Sequence, residues 1–418
     1  MLNDNYICAL DISSSKIAAT LAQLKGRRIN RLFFDTLPSK GIKRGIVLNC
    51  PDLISGLSGF LKSLKAKSGV NIKYVYTNIS GQDIITKHSR AIIPLTERGN
   101  KVITQSDIDK VNEQARILGS SLEEEIIHSV PFGYAIDSQN SILNPLGLYS
   151  HRLESDLYLV CVKLPSVQTL TRAINQAGFE IKNLFYSGVA TSAALFNKEA
   201  QAGVNVICDI GSDITDLLVF KDGVLRNIEV LPLGSDDLTL QLEDTLKIPF
   251  ELAEDLKKSY ASIGDYNQIQ EDREVLIKRN NLYKPIKQKM ISEIVTVRAR
   301  LICQGIKERL ENIVSPEEVD NFTAVGRSVL LEGFLEALEN SLGLPVKLGR
   351  ISHPDIFPSL DKYDAVAGQR YLTYLVSLGI VCQALHEERP WPLSLSQPAG
   401  NPILKVINKV KEVYQEYF

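Results

Sequence analysis

The sequence predicts an α/β fold of two related lobes, with a small α+β piece inserted into the first. Three observations carry that reading. Val204–Phe220 reads VNVICDIGSDITDLLVF, an apolar β-branched run, a short polar loop and a second apolar run, so it reads as strand, tight loop, strand. Tyr6–Leu21, YICALDISSSKIAATL, repeats the design: with Asp11 aligned on Asp209, D-I-S-S-S faces D-I-G-S-D. Between 84 and 163 a strand–helix–strand–strand–strand run differs in character from its flanks and has apolar residues enough for its own small core.

The duplicated loops are the functional clue. Gly211 lets the backbone approach a ligand closely or take positive φ, and Ser212, Asp213 and Thr215 offer short polar groups. Two such loops across a cleft suit a polyphosphate and its metal, with each Asp aimed at Mg²⁺ or water and the hydroxyls and N–H groups at phosphate. The plainer alternative is two hairpins whose Asp and Ser residues fill turns; duplication weighs against it.

The totals set bounds. A chain of 418 residues exceeds one core and calls for two to four subdomains. With 44% hydrophobic and 23% charged residues it is globular, and a net charge of −2 argues against broad nucleic-acid binding. Cys8, Cys50, Cys161, Cys208, Cys303 and Cys382 are scattered without a metal-type spacing, so reduced structural thiols in the cytosol are expected. The start, MLNDNYICALD, lacks the basic and long apolar regions of a signal peptide, and no run has the length of a transmembrane helix.

In chain order, Pro51–Lys67 is expected as a helix burying Leu53, Leu57, Phe60, Leu61 and Leu64, followed by the strand Tyr74–Ile79. In the insert, Ile84–Leu95 reads as a strand and Thr104–Leu118 as a helix opened by Thr104 and Asp107, close to a capping box. Strands Ile126–Pro131, Tyr134–Asp137 and Ser155–Lys163 complete it, before helix Gln168–Ala177 and strand Ile181–Ser187. Helices Ser235–Leu246 and Pro249–Tyr260 follow the central loop, with Glu254 and Lys257 or Lys258 on one face of the second. Met290–Ile313 is a long amphipathic helix, its expected buried face being Ile294, Val297, Leu301, Ile306, Leu310 and Ile313. Then come strand Phe322–Val325, a loop opened by Gly326, helix Gly333–Ser341 capped by Gly343, and a last long apolar helix, Tyr363–Gln383.

The end of the chain has a separate character. His386–Asn401 holds three prolines and reads as a linker. In Pro402–Phe418, Ile403, Leu404, Ile407, Val410, Tyr414, Tyr417 and Phe418 supply an apolar side, while Lys405, Lys409, Lys411, Glu412 and Glu416 lie opposite. A tethered amphipathic helix of this kind suits a membrane interface, or a docking place on the protein itself or a partner.

Together these residues resemble the bacterial cell-division family FtsA. The resemblance runs over the whole chain, through both loops, Gly234 and its helix, the A-E-x-L-K pattern at Ala253, Glu254, Leu256 and Lys257, Gly326 with Leu331-Glu332-Gly333, and the terminal helix. Most specific are VPFGYAID (130–137) and NPLGLYSHRLESDLYLV (144–160), which resemble the subdomain peculiar to that family.

The resemblance implies an actin-like, ribonuclease H-like fold in four subdomains. Residues 1–83, 164–203 and 360–385 would form the first large lobe and 84–163 the insert; 204–233 and 318–359 would form the second large lobe and 234–317 its small companion. ATP with Mg²⁺ would lie between the lobes. Ser13, Ser14 and Lys16 would meet the phosphates from one side, and Gly211, Ser212 and Thr215 from the other. Glu254 and Lys257 would flank the nucleoside beside Gly234 and Gly326, and Asp11 and Asp209 would address the metal through water. The sequence departs from the family pattern at Ser13, Asp213 and Arg327, where glycines are usual, and Asp213 brings a carboxylate toward phosphate oxygens. Ser187-Gly188-Val189-Ala190 offers no catalytic carboxylate, so ATPase turnover at most weak is expected.

The implied role is a polymerising, membrane-attached anchor for the FtsZ ring on the inner face of the cytoplasmic membrane. FtsZ, further copies of the chain and lipid would be its partners, with Arg298 and Arg300 as the expected FtsZ contact. A PilM-like adaptor of pilus assembly, or an active kinase or ATPase of the same superfold, are the competing readings; the terminal helix and the insert favour the anchor.

Overall fold

Side-chain alternation along one strand sets the first core. In the computed structural model, which describes residues 6–26, 28–96, 99–137, 139–196, 202–264, 274–279, 282–357 and 360–386, the strand Tyr6–Ile12 is buried along its whole length. Cys8, Leu10 and Ile12 face one core with Leu53, Leu57 and Leu61 of helix Cys50–Ser68 and Val167, Leu170 and Ile174 of helix Leu164–Gln176. Ile7 and Ala9 face the opposite one, covered by Leu378 and Val381 of helix Leu375–His386. A strand sandwiched in this way reads as a continuous apolar run, which is how YICAL reads.

The described residues group into two units. Ala202–Val219 and Asn227–Arg350 form the second; the others, Phe220–Arg226 included, form the first. In the first, the sheet order is Glu180–Tyr186, Tyr74–Ile79, Tyr6–Ile12, Lys16–Lys25, Arg28–Pro38. The first two strands run parallel to Tyr6–Ile12, and the other two form an antiparallel meander with it. The sheet begun by Val204–Ile210 has the same order: Val346–Leu348 and Asn321–Val325 lie on its parallel side, and Thr215–Lys221 and Val224–Leu231 on the other. The repeat seen at the two loops therefore extends to whole sheets.

The insert belongs to the first unit. Its sheet runs Gln139–Ile142, Glu124–Ile136, Arg152–Lys163, Ile84–Pro94, and helix Gln105–Leu118 lays Ile108, Val111 and Ala115 on Ala91, Leu157 and Leu159. Asp107 closes the cap, accepting from the Thr104 N–H at 3.0 Å, while Lys101 donates to both its oxygens at 2.9 Å. The two expected strands Ile126–Pro131 and Tyr134–Asp137 are one. Gly133 pairs with Asp156 and Pro131 with Leu157, so Phe132 is an extra residue in a bulge and the ladder continues past it.

Three further expectations change. The strand Arg28–Pro38 extends the first sheet beyond the expected hairpin. Ser187, expected at a strand end, opens a helix, Ser187–Leu195, in which all nine residues are buried; with no polar side it carries no amphipathic pattern to read. Tyr363–Gln383 is helical only from Leu375. Before that, turns aim Tyr363 and Tyr374 edge-on at Phe34, with ring centres 5.6 and 5.0 Å away, and the Tyr363 hydroxyl accepts the Leu32 N–H at 3.1 Å. The linker and terminal helix expected at 386–401 and 402–418 lie outside the described residues beyond His386.

In the second unit the long helix, Gln288–Glu311, keeps the expected Ile306 and Leu310 buried but turns the first part of its expected face away from the core. It buries Ile291, Val295, Ala299, Ile302, Cys303, Ile306 and Leu310, whereas Val297 and Leu301 are 60% and 55% exposed. The reason is that helices Ser235–Leu246, Phe250–Tyr260 and Phe334–Leu342 pack around it, and small Ser292, Thr296 and Ala299 let them approach. Among the described residues no helix is long and apolar enough to cross a membrane. The rotation predicts that Ile302→Ala costs ~2–5 kcal/mol by denaturant unfolding, while Leu301→Ala stays within about 0.5 kcal/mol of the parent.

Candidate functional site

Each unit presents its own loop. In the first, a tight turn joins Tyr6–Ile12 to Lys16–Lys25, and the Ser13 N–H and hydroxyl both donate to the Lys16 carbonyl, at 3.0 and 2.9 Å. Ser14 is half-buried and its hydroxyl oxygen accepts the Gly45 N–H at 3.2 Å. Asp11 is buried and forms an ion pair with Lys16. Ser13, Ser14, Lys16 and Asp11 are thus brought together, with Ser13 spent on the turn.

Behind the loop lies a residue the sequence reading missed. The Asn78 carboxamide oxygen accepts the Ile12 N–H at 2.7 Å, and its nitrogen donates to Asp11 at 3.1 Å and to the Ser187 hydroxyl at 2.8 Å. Ser187 in turn donates to the Ile79 carbonyl at 3.3 Å. The available signal was a polar residue near the end of the apolar strand YVYTNI, since a buried amide needs several partners.

The second loop is held by its backbone. The Gly211 N–H donates to the Ile214 carbonyl at 2.9 Å, and the Gly211 carbonyl accepts from the Ser328 hydroxyl at 2.9 Å and the Ser235 N–H at 3.1 Å. Gly211 and Ser212 are half-buried, Asp209 is likewise part-covered, and Asp213 and Thr215 are buried. Thr215 does not turn its hydroxyl outward; it donates to the Leu233 carbonyl at 2.8 Å. At Gly234 a Cβ would meet the Ser212 oxygen at 2.4 Å, so only glycine lets the next helix begin against the loop. Gly326 has φ 92°, and a Cβ there would lie 2.3 Å from the Ile210 oxygen. The close approach expected of Gly326 is therefore made to the base of this loop.

Lys257, 4% exposed, lies under the helix start. It donates to the Ser235 carbonyl at 3.0 Å and the Thr239 hydroxyl at 2.8 Å, and pairs with Glu254 at 2.6 Å. Burial alone would raise the Glu254 carboxyl, but Lys257, Thr239 and Lys258 outweigh it and hold it at about 2. Asp236, which the sequence reading also missed, goes the other way. Burial lifts it to about 6; Lys257 opposes the rise, and Asp213, Glu254 and Asp237 add to it. Asp213 thus acts on its neighbour carboxylate from below the surface. The signal was the run Gly234-Ser235-Asp236-Asp237, two acids at a helix start facing a third in the loop.

Arg298 and Arg300 do not share a face. Arg298 pairs with Asp237 at 2.8 Å, and Asp237 accepts the Gly234 N–H at 2.9 Å, so this arginine anchors the helix start. Arg300 is exposed, two residues on and roughly 200° around the helix.

Each loop gathers short polar groups of its own: the first a Ser14 hydroxyl and the Lys16 ammonium beside the Asp11 carboxylate, the second the Ser212 hydroxyl near Asp209, the Ser13 hydroxyl and the Gly211 N–H being spent within their loops. Among the described residues no three His, Cys, Asp or Glu side chains gather as a metal site.

Two family profiles match the chain: "Cell division protein FtsA" over residues 206–374 and "SHS2 domain inserted in FTSA" over 81–161. Relatives titled cell division protein FtsA include that of Borreliella burgdorferi, 25% identical with 83% of this chain and 85% of the relative covered, and that of Bacillus subtilis, 23% identical with 92% and 85% covered. Among solved structures, the PilM-PilN type IV pilus biogenesis complex aligns with a TM-score of 0.59 at 16% identity, covering 91% of this chain and 98% of the other. MreB5 of Spiroplasma citri bound to ADP aligns at 0.53 and 10% identity, covering 93% and 99%. These structural likenesses show the actin-like fold.

Asp236 supplies a pH test. Below its ordinary 3.8 the carboxyl is neutral folded or unfolded; through the window from there to about 6 the unfolded chain ionises first, so stability falls as pH rises. Asp236→Asn should raise stability at pH 7.5 by about 1 kcal/mol, ~3 kcal/mol being the ceiling before solvent screening, and bring no gain at pH 4, read from thermal melts at both.

Proposed function

Since the chain belongs to the FtsA cell-division family of actin-like proteins, we propose that it is an ATP-binding, membrane-attached adaptor that anchors FtsZ polymers to the inner face of the cytoplasmic membrane. The observation that carries this reading is the pair of profile matches, one on the lobe that holds the second loop and the other on the inserted subdomain. A fold shared with many actin-like proteins would leave the role open; the insert is what ties the chain to division.

ATP binding is supported by the chemistry of both loops. Lys16, Ser14 and the Ser212 hydroxyl suit phosphate oxygens, and the Asp11 and Asp209 carboxylates suit the water shell of Mg²⁺. On the side proposed for the nucleoside, Lys257 braces the helix that starts after Gly234 through the Ser235 carbonyl and pairs with Glu254. When bound, the metal would neutralise phosphate charge. Lys16 would add a fixed positive charge, kept in place by Asp11. Asp213 and Thr215 are drawn inward and the Gly211 N–H is spent on Ile214, which leaves Ser212 as the loop's phosphate contact. Lys16→Ala should weaken binding of a fluorescent ATP analogue by about tenfold or more, the scale of one charge-assisted contact. Unchanged affinity would remove Lys16 from the site.

Membrane attachment is supported by the amphipathic pattern of Pro402–Phe418. One such helix binds lipid weakly, and head-to-tail polymers of the chain would make the attachment multivalent. For FtsZ, the exposed side of the long helix with Arg300 is the contact to test, Arg298 being engaged with Asp237.

The test is sedimentation of FtsZ polymers with liposomes of bacterial lipid and ATP, comparing the full chain with one ending at Gly400. The expected result is FtsZ in the lipid pellet with the full chain alone. A full chain that pellets with lipid yet leaves FtsZ behind would transfer the reading to a PilM-like adaptor. Lipid binding by neither chain would end the membrane claim.

A further inference from the structure

The inserted subdomain touches the core sheet at a place that leads straight to the first loop. His128 lies on the insert's strand Glu124–Ile136, opposite Val160. Its Nε2 accepts the Tyr186 N–H at 3.0 Å, and its ring stacks on Phe185 with centres 6.2 Å apart. An Nε2 that accepts belongs to a neutral imidazole, and loss of solvent around the ring pulls its pKa from 6.5 down to about 4, so the acceptor persists at neutral pH.

Tyr186 ends the core strand Glu180–Tyr186, and the next residue, Ser187, opens the buried helix. The helix's first turn has N–H groups without helical partners, and His128 satisfies the one just before it. From Ser187 the contacts continue to Asn78, and from Asn78 to the Asp11 carboxylate and the Ile12 N–H, the two groups at the mouth of the loop. The steps are hydrogen bonds, apart from the peptide link between Tyr186 and Ser187, and all of them belong to one unit.

We propose that His128 is a positioning residue for the first phosphate loop, through which the inserted subdomain sets the geometry of Asp11 and Lys16 by way of Tyr186, Ser187 and Asn78. The chain of contacts carries the insert's position into the loop: a shift of the insert's strand moves the Tyr186 amide, and with it the Ser187 hydroxyl that fixes the Asn78 amide. Occupancy of the insert by a partner would thus register as a change in nucleotide affinity, and bound nucleotide would by reciprocity stiffen the insert. This proposal rests on the loop being a nucleotide site, but the coupling itself is a property of the protein without ligand.

The experiment compares His128→Leu, which keeps bulk and removes the acceptor, with His128→Gln, whose amide oxygen can replace Nε2. Two readouts are taken on the full chain: amide hydrogen exchange at 11–16 without nucleotide, and affinity for the fluorescent ATP analogue. His128→Leu should speed exchange at 11–16 and weaken binding by about fivefold, the lower end of measured site-to-site couplings, and His128→Gln should restore both. Ser187→Ala cuts the same chain one step nearer the loop and should reproduce the effect, which keeps the test open if His128→Leu fails to fold. Unchanged exchange at 11–16 in folded His128→Leu or Ser187→Ala overturns the proposal. Faster exchange in a protein whose parent binds no ATP leaves the coupling standing and removes the nucleotide reading instead.

Discussion

One side-chain amide holds the first unit's chemistry in place. Asn78 accepts the Ile12 N–H and donates to Asp11 and Ser187, so three segments far apart in sequence meet on a single buried group. A buried amide with its partners lost would cost a few kcal/mol, so the arrangement is close to all-or-none. The Asp11 carboxylate could not otherwise lie 2% exposed beside an apolar sheet; Lys16 compensates its charge and Asn78 one of its oxygens. The loop is thereby fixed without a ligand, which would spare the proposed phosphate site from spending ligand affinity on ordering itself.

The second unit reaches the same end with other means. Its loop is braced by backbone contacts, Gly234 against Ser212 and Gly326 against Ile210, and by the Ser328 hydroxyl on Gly211. Charge there is gathered under the helix start, where Lys257 meets Glu254 and faces Asp236. The two loops share a strand–loop–strand sequence and a sheet order, yet a buried amide buttresses one, and close glycine contacts with a serine hydroxyl the other. Duplication preserved the path of the backbone and left the bracing free to diverge.

That difference explains what the amino-acid sequence disclosed. Strands that alternate or run apolar were legible, and so was the helix face Leu53, Leu57, Phe60, Leu61 and Leu64, because burial there follows from local periodicity. The helix Ser187–Leu195 was not, since small residues buried on every side have no period. Val297 and Leu301 misled for the converse reason: they fit an apolar stripe, but the helices packed around Gln288–Glu311 chose the neighbouring one. At the candidate site, the strand–loop–strand course of both loops was readable from residue type and spacing, whereas the inward turn of the Thr215 hydroxyl was not. Asn78, Ser187 and Asp236 act from neighbouring elements, and only the folded chain shows which groups they meet.

The helix Leu375–His386 gives the fold a temporal order. It packs on the second face of a sheet whose first strand starts at Tyr6, so the surface formed by Ile7, Ala9, Ala18 and Ala22 lacks the cover of Leu378 and Val381 until that helix has been made. At ordinary synthesis rates, the interval between Pro38 and His386 leaving the ribosome's catalytic centre is roughly 20–70 s. Throughout it the nascent first lobe carries a bare apolar sheet face, a surface that chaperones recognise and that other nascent chains can join. The last described helix thus closes the core: a product ending before it would lack the cover that Leu378 and Val381 give the sheet.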